Sequence, residues 1–281
     1  MARDFPIPEP IPLQQQDGQS FPALVALMRR LLAPDGCPWD REQTPATLRK
    51  YVLEEACEVI DAIDGGDSAH LAEELGDLAL QVVFLGELAR RDGSFGPDDV
   101  VRGIVEKLVR RHPHVFGDAR VSGSEEVLQN WEKIKAAEKA ERGVIEGVPR
   151  SLPALYRAQR MSEKVSRVGF DWPDGRGSRE KVSEELGELD RAIEEGRPER
   201  IEAELGDLLF ALVNLARHLH VDAEGALRGA SDRFARRFTH VEGRVKERHG
   251  GWPRAQDGKP TTGIPLETLD GYWDEAKRGE S

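Results

Sequence analysis

Cysteine is nearly absent from this chain of 281 residues, which holds only Cys37 and Cys57. Two thiols cannot build a four-ligand zinc site, and no Cys-x-x-Cys pair occurs, so neither a zinc ribbon nor a dithiol redox motif is available. Both are read as reduced thiols, with Cys57 packed on its helix. Aromatic residues are also scarce, at 6%. With 33% charged residues, and with Ala, Leu, Glu and Arg dominating between Gly and Pro punctuation, the composition favours helices over sheets. Positive charge is in deficit. A net charge of −12 argues against a generic nucleic-acid or anionic-membrane surface, so basic residues must act locally. No run approaches the roughly 18 apolar residues of a membrane span, and the first residues contain no apolar h-region. A cytoplasmic location is expected, with neither membrane nor nucleic acid as partner. A Gly-x-x-x-x-Gly-Lys-Ser/Thr phosphate loop, an EF-hand loop and a spaced Ser/His/Asp arrangement are missing as well.

What the chain does carry is one carboxylate pattern, twice. Glu54-Glu55-x-x-Glu58 is followed by Glu74-x-x-Asp77, and Glu184-Glu185-x-x-Glu188 by Glu204-x-x-Asp207. Residues three apart on a helix share a face. If the two helices of each copy pack antiparallel, four carboxylates converge, and such a cluster is stable mainly around a cation. Glu55, Glu58, Glu74 and Asp77 map onto Glu185, Glu188, Glu204 and Asp207 with a constant offset of 130. Two separated clusters rarely keep one offset by chance.

Periodicity and breakers organise the rest. Residues 1–19 are Pro- and Gln-rich and are expected to form a mobile tail. Helices are predicted over 21–32, 47–63, 68–91, 98–111 and 124–142, then over 155–165, 178–195, 199–219, 223–247 and 266–278. On the second of these, Leu48, Val52, Ala56, Val59 and Ile63 form the core stripe. The helix after Ser68 has a nearly continuous apolar run after Asp77 and is expected to be the most buried of the first half. Gly and Pro over 143–153 mark a linker between domains at 20–142 and 154–281. Beyond the carboxylates, Lys107 and Arg111 align with Arg233 and Arg237, and Trp131-x-x-x-Lys135 aligns with Trp273-x-x-x-Lys277. Acidic, basic and aromatic elements are thus duplicated together, which a scaffold alone does not require.

Oxygen donors suit Mg²⁺, Mn²⁺ or Ca²⁺. A di-iron carboxylate bundle expects Glu-x-x-His on two helices, and no His stands at these positions. Mg²⁺ is therefore favoured, with Mn²⁺ as a substitute, and Mg²⁺ usually arrives with phosphates. Arg233 and Arg237 on one basic helix, Lys181 one turn before Glu185, and Trp273 with Lys277 supply the cations and an aromatic plane that a polyphosphate needs. The nucleophile would be a metal-bound water. Other readings stay open: Trp273 serves equally as a core anchor, and Asn214, on an apolar helix, either meets a ligand or finds buried partners. Trp39 and Trp172 are read as loop-anchoring core residues, and His112 and His114 as structural. A nucleotide-binding regulator or a helical adaptor with little turnover is the alternative to an enzyme.

The strings 36-GCPWDREQTPATLRKYVLEEACEVIDAI-63, 73-EELGDLALQVVF-84, 107-KLVRRHPHVFGD-118 and 204-ELGDLLFALVNLARHL-219 resemble the MazG family of nucleoside triphosphate pyrophosphohydrolases, and the resemblance spans both repeats. It implies an all-α protein of two tandem helical-bundle domains, assembled as a homodimer, which cleaves nucleoside triphosphates to monophosphate and pyrophosphate with Mg²⁺. By that resemblance Glu185, Glu188, Glu204 and Asp207 hold the metal, Glu184 orients water, and Lys181, Arg200, Arg233, Arg237, Trp273 and Lys277 meet the triphosphate. House-cleaning or control of a nucleotide pool is the implied role. The repeats differ at several of these positions. Lys181 corresponds to Tyr51, Arg200 to His70, Arg233 to Lys107 and Asn214 to Phe84. An Asn can hydrogen-bond a base or ribose and a Phe cannot, so the second repeat is expected to be the better catalyst. The first keeps its four carboxylates, leaving it weak activity or a regulatory, dimerising role.

Overall fold

A computed structural model describes residues 20–138, 143–253 and 263–280. The expected tail and the end of the helix predicted over 124–142 lie outside them. The described residues form helices and connecting turns, with no strand among them. None of the helices is long and apolar enough to cross a membrane. The chain divides into two compact units, Met1–Ala140 and Glu141–Ser281.

The first unit runs α1 (Phe21–Leu31), α2 (Pro38–Glu42), α3 (Pro45–Gly65), α4 (Ser68–Arg91), α5 (Pro97–Arg111), α6 (Pro113–Phe116) and α7 (Ser124–Glu138). The second runs α8 (Ala154–Ser166), α9 (Gly175–Glu195), α10 (Pro198–His218), α11 (Ala223–His249) and α12 (Leu266–Gly279). Two short elements, α2 and α6, fall where periodicity has no room to register. In both cases a proline at the first helical position starts the turn, where its fixed φ is already helical and its missing N–H is no loss.

Each unit is centred on a helical hairpin, α3 with α4 and α9 with α10. The local chemistry fixing the hairpins is legible. Thr44 and Thr47 exchange backbone-to-hydroxyl hydrogen bonds at 2.9 and 3.2 Å to cap α3, and Asp174 accepts from the Arg176 N–H at 2.8 Å to cap α9. That cap starts α9 at Gly175, three residues earlier than its apolar pattern does. The first helix of each hairpin ends at a left-handed glycine, Gly66 with φ 70° and Gly196 with φ 65°, a conformation that penalises a Cβ. These two glycines set the register. Glu58 and Glu74 stand eight residues either side of Gly66, and Glu55 and Asp77 eleven. Glu188, Glu204, Glu185 and Asp207 stand at the same distances from Gly196. In an antiparallel hairpin, residues equidistant from the turn lie opposite each other, so a turn of fixed length suffices to bring the carboxylates together.

In the first unit the buried cluster is Val25, Met28, Leu48, Val83, Phe84 and Leu88, drawn from α1, α3 and α4. In the second, Val241, Val245, Ile264 and Tyr272 pack between α11, the segment before α12, and α12. Several sequence expectations need correction. Ile63 is 58% exposed, because it lies at the turn end of α3, past the α1 cluster, which reaches only Leu48 and Tyr51 on that helix. Cys57 is exposed rather than packed, for it falls between the inward-facing positions of α3. Trp39 and Trp172 are 52% and 40% exposed and so are not core residues. Trp39 instead leans edge-on against Tyr51, with ring centroids 6.2 Å apart. His112 has the structural role expected of it, with Nδ1 2.7 Å from the Leu108 carbonyl oxygen.

Candidate metal and triphosphate site

The hairpin register brings three carboxylates together in each unit. Glu55, Glu58 and Glu74 each offer an oxygen within 4.8 Å of the others, and so do Glu185, Glu188 and Glu204. Asp77 and Asp207, with shorter side chains and exposed positions, stand outside these trios. Asp77 is nonetheless the charge that acts most strongly on Glu55, as their equal distance from Gly66 requires. The trios fit a small hard cation. Oxygens bound to one Mg²⁺ at about 2.1 Å stand up to about 4.2 Å apart, so modest side-chain rotation closes either set.

The electrostatics of the two trios differ sharply. In the second unit every member has a cation. Lys181 Nζ lies 2.7 Å from Glu185 and 2.9 Å from Glu184, Arg191 lies 3.1 Å from Glu188, and Arg200 Nε lies 3.5 Å from Glu204. Arg200 is itself held at 2.8 Å by Glu195. Hydrogen bonds donated to Glu185 and then to Glu184 push the Lys181 ammonium well above its usual range, so it stays charged. In the first unit Tyr51, Asp61 and His70 occupy the positions of Lys181, Arg191 and Arg200. There the His70 Nε2 lies 2.9 Å from Glu74. Burial, followed by the charges of Asp77, Glu58, Glu74 and Glu54, raises the Glu55 carboxyl above its ordinary value.

The remaining candidate residues form a second group on α11 and α12. Arg233 is exposed. Arg237 donates through Nε and Nη2 to Glu280 at 3.0 and 2.7 Å, and its guanidinium lies 5.7 Å from the centroid of the Trp273 ring. Trp273 also meets Phe234 with centroids 5.2 Å apart, and Lys277 pairs with Asp274 at 2.7 Å. Asn214 is 8% exposed, and its carbonyl oxygen accepts from Arg217 Nε and Nη2 at 3.0 and 2.8 Å. Arg217 and His218 in turn grip Asp171, at 2.8 and 3.1 Å. Asn214 is therefore the buried end of a polar network that ties the exposed Asp171, before α9, to the end of α10.

Sequence reasoning missed Arg191, Glu195, Asp171, Arg217 and Glu280. The signal for Arg191 was present, because Glu188 and Arg191 stand three apart on one helix face. Glu280 was equally accessible, since the Trp-x-x-x-Lys alignment continues three residues further to Glu138 and Glu280. The Asp171 network pairs groups 46 residues apart, and no local spacing announces it.

Helices alone, with a doubled carboxylate hairpin, place the chain among all-α proteins built from a tandem acidic repeat. The MazG nucleotide pyrophosphohydrolase domain matches residues 43–116 and 177–242, one stretch over each hairpin. A Thermotoga maritima protein named nucleoside triphosphate pyrophosphohydrolase/pyrophosphatase MazG is 44% identical over 268 residues, 95% of this chain and 99% of the relative. An Escherichia coli K12 protein named nucleoside triphosphate pyrophosphohydrolase is 45% identical over 263 residues, 92% of this chain and 97% of the relative. The chain belongs to the MazG family.

Proposed function

We propose that the chain is a Mg²⁺-dependent nucleoside triphosphate pyrophosphohydrolase whose turnover resides mainly in the second unit. The names of its relatives support the activity. The observation that carries the assignment to this unit is the set of cations on the second trio, Lys181, Arg191 and Arg200, within 2.7 to 3.5 Å of metal-type carboxylates. A magnesium triphosphate brings both signs of charge. With a metal bound, Glu185, Glu188 and Glu204 would be satisfied, and Lys181, Arg191 and Arg200 would be released to meet phosphate.

Glu185, Glu188 and Glu204, with Asp207 beside them, would hold Mg²⁺, and Mn²⁺ should substitute. When bound, the ion neutralises phosphate charge and acidifies water. The chain's own residues do the rest. Lys181 and Arg200 bind phosphate oxygens and stabilise charge on the departing pyrophosphate, a role favouring fixed donors over mobile water. Glu184, exposed and freed from Lys181 by the substrate, orients the attacking water. One water adds, the bridging bond between the α- and β-phosphates breaks, and monophosphate and pyrophosphate leave. Arg233, Arg237, Trp273 and Lys277 complete the triphosphate and nucleoside contacts, and Asn214 backs the nucleoside side through Arg217.

The first unit favours a second reading, as a site that binds metal and nucleotide weakly and regulates or dimerises. Its trio lacks the cations, and Phe84, 4% exposed, is core where Asn214 is polar. A homodimer accords with the apolar faces of the hairpins, where Leu53, Ile63 and Leu75 are 59%, 58% and 49% exposed, and Leu186, Leu205 and Phe210 are 49%, 45% and 44%. A house-cleaning role, removing aberrant nucleotides, follows from the same activity. The test is a panel of nucleoside triphosphates with and without EDTA. Pyrophosphate should appear only with metal, and release of orthophosphate alone rejects the assignment. Sedimentation should give twice the chain mass, whereas a monomer rejects the dimer.

A further inference from the structure

The contact between Arg237, Trp273 and Glu280 occurs twice in the chain. In the first unit Arg111 donates through Nε to Glu138 Oε2 at 3.2 Å and through Nη2 to the same oxygen at 2.5 Å. Its guanidinium lies 5.4 Å from the centroid of the Trp131 ring. In the second, Arg237 uses the same nitrogens, on Glu280 Oε2, at 3.0 and 2.7 Å, over Trp273 at 5.7 Å. The two contacts use the same arginine nitrogens and the same glutamate oxygen, and Glu138 additionally accepts from Arg110 Nε at 2.8 Å. They do not match in spacing: Arg111 and Arg237 are 126 residues apart, whereas the Trp and Glu pairs are each 142 apart. Sixteen additional residues therefore separate α11 from α12 in the second repeat, and the same three groups still meet. An incidental surface ion pair contributes little and has no reason to persist across such a change.

We infer that Glu280 is a positioning residue for substrate binding: it fixes the Arg237 guanidinium on the Trp273 ring so that the Nη1 edge is presented to a triphosphate oxygen. Glu138 holds Arg111 in the same manner. This rests on the nucleotide reading proposed above and adds to it a residue that touches no substrate. A free arginine has large rotamer freedom, which phosphate binding must remove, whereas a guanidinium fixed at its plane and one edge has little left to lose. Glu280 suits the task because it remains ionised. Hydrogen bonds from Arg237, aided by the charges of Arg237, Arg236 and Arg233, hold its carboxyl below the usual range. Arg111 and Arg110 hold Glu138 down to about 2.

The experiment measures triphosphate hydrolysis by the full chain carrying Glu280→Ala, Glu280→Gln, Arg237→Ala, or Arg237→Ala with Glu280→Ala. Glu280→Ala should raise KM about 2- to 10-fold with kcat little changed, the signature of lost binding from ordering one long side chain. Glu280→Gln, which still accepts one hydrogen bond, should fall between. The double variant should match Arg237→Ala, since without the arginine Glu280 has nothing to position. Melting temperatures should stay at the wild-type value. Additive effects, a lower KM in Glu280→Ala, or a fall in kcat that tracks a fall in melting temperature each overturns the assignment. The first would make Glu280 independent of Arg237, the second a competitor of phosphate, and the third merely structural. Wild-type protein that hydrolyses triphosphate while Glu280→Ala keeps its KM sinks the positioning role alone. Wild-type protein that neither hydrolyses nor binds triphosphate sinks the function and this role with it.

Discussion

The two carboxylate trios share a hairpin, a turn glycine and a register, and differ in what surrounds them. Around Glu185, Glu188 and Glu204 each acid is met by Lys181, Arg191 or Arg200. Around Glu55, Glu58 and Glu74 the neighbouring basic group is the His70 imidazole, 2.9 Å from Glu74, and burial followed by like-charge repulsion raises the Glu55 carboxyl. Backbone geometry is therefore sufficient to gather three carboxylates in each unit but not to give each of them a cation. On the function proposed above, a magnesium polyphosphate would draw on both signs of charge, and three differences, Tyr51, Asp61 and His70 against Lys181, Arg191 and Arg200, set the surroundings of the two trios apart.

The largest effect expected from breaking this contrast is on turnover. Glu185→Ala should lower kcat/KM for triphosphate hydrolysis by about 10²- to 10³-fold, the scale of losing a main electrostatic group, while Glu55→Ala leaves the rate close to wild type. Pyrophosphate release by the two variants checks this. Next come the cations. Lys181→Ala or Arg200→Ala should reduce kcat/KM about 10- to 100-fold, as removal of groups that orient metal ligands does. Placing Tyr51→Lys and His70→Arg together in a Glu185→Ala chain should restore measurable turnover to the first unit, and steady-state rates at saturating Mg²⁺ reveal it.

A third expectation concerns stability and the network found in the second unit. Asp171→Asn should cost about 1.5–3 kcal/mol, the range for a hydrogen bond to a charged group, measured by urea denaturation. Arg217 holds the Asp171 carboxyl below its ordinary value of 3.8. Its contribution is therefore complete above that pH and is lost as pH falls below it, where the folded carboxylate must take up a proton. The smallest effect has opposite signs in the two units. Without metal, Glu55→Gln should stabilise by about 0.2–0.5 kcal/mol through relief of like charges, and Glu185→Gln should destabilise by a similar amount through loss of its lysine partner. Melting curves in EDTA distinguish the two.

Much of this was legible in the sequence. The long helices stand within about three residues of their expected bounds, because apolar period, caps and the Gly66 and Gly196 stops agree with one another. The acidic trios follow from spacing plus a turn of fixed length. Residues whose fate depends on what covers a helix face were not legible. Ile63 continues the α3 stripe but lies past the cluster that would bury it, and Cys57 falls between the inward-facing positions of the same helix. Partners distant in sequence were also hidden. Asp171 with Arg217 and Glu280 with Arg237 are set by tertiary packing, although repetition of the Trp-x-x-x-Lys-x-x-Glu string gave a sign of the latter. Asn214 shows the limit of reading one residue at a time, since its oxygen is engaged by Arg217, three residues further along the same helix.

Counting tight nucleotide sites tests the inequality of the repeats most directly. A calorimetric titration of the full chain with an α,β-methylene nucleoside triphosphate at saturating Mg²⁺ should give one tight site per chain, retained in Glu55→Ala and abolished in Glu185→Ala. Two sites of equal affinity, or a tight site that disappears with Glu55→Ala and survives Glu185→Ala, would contradict it.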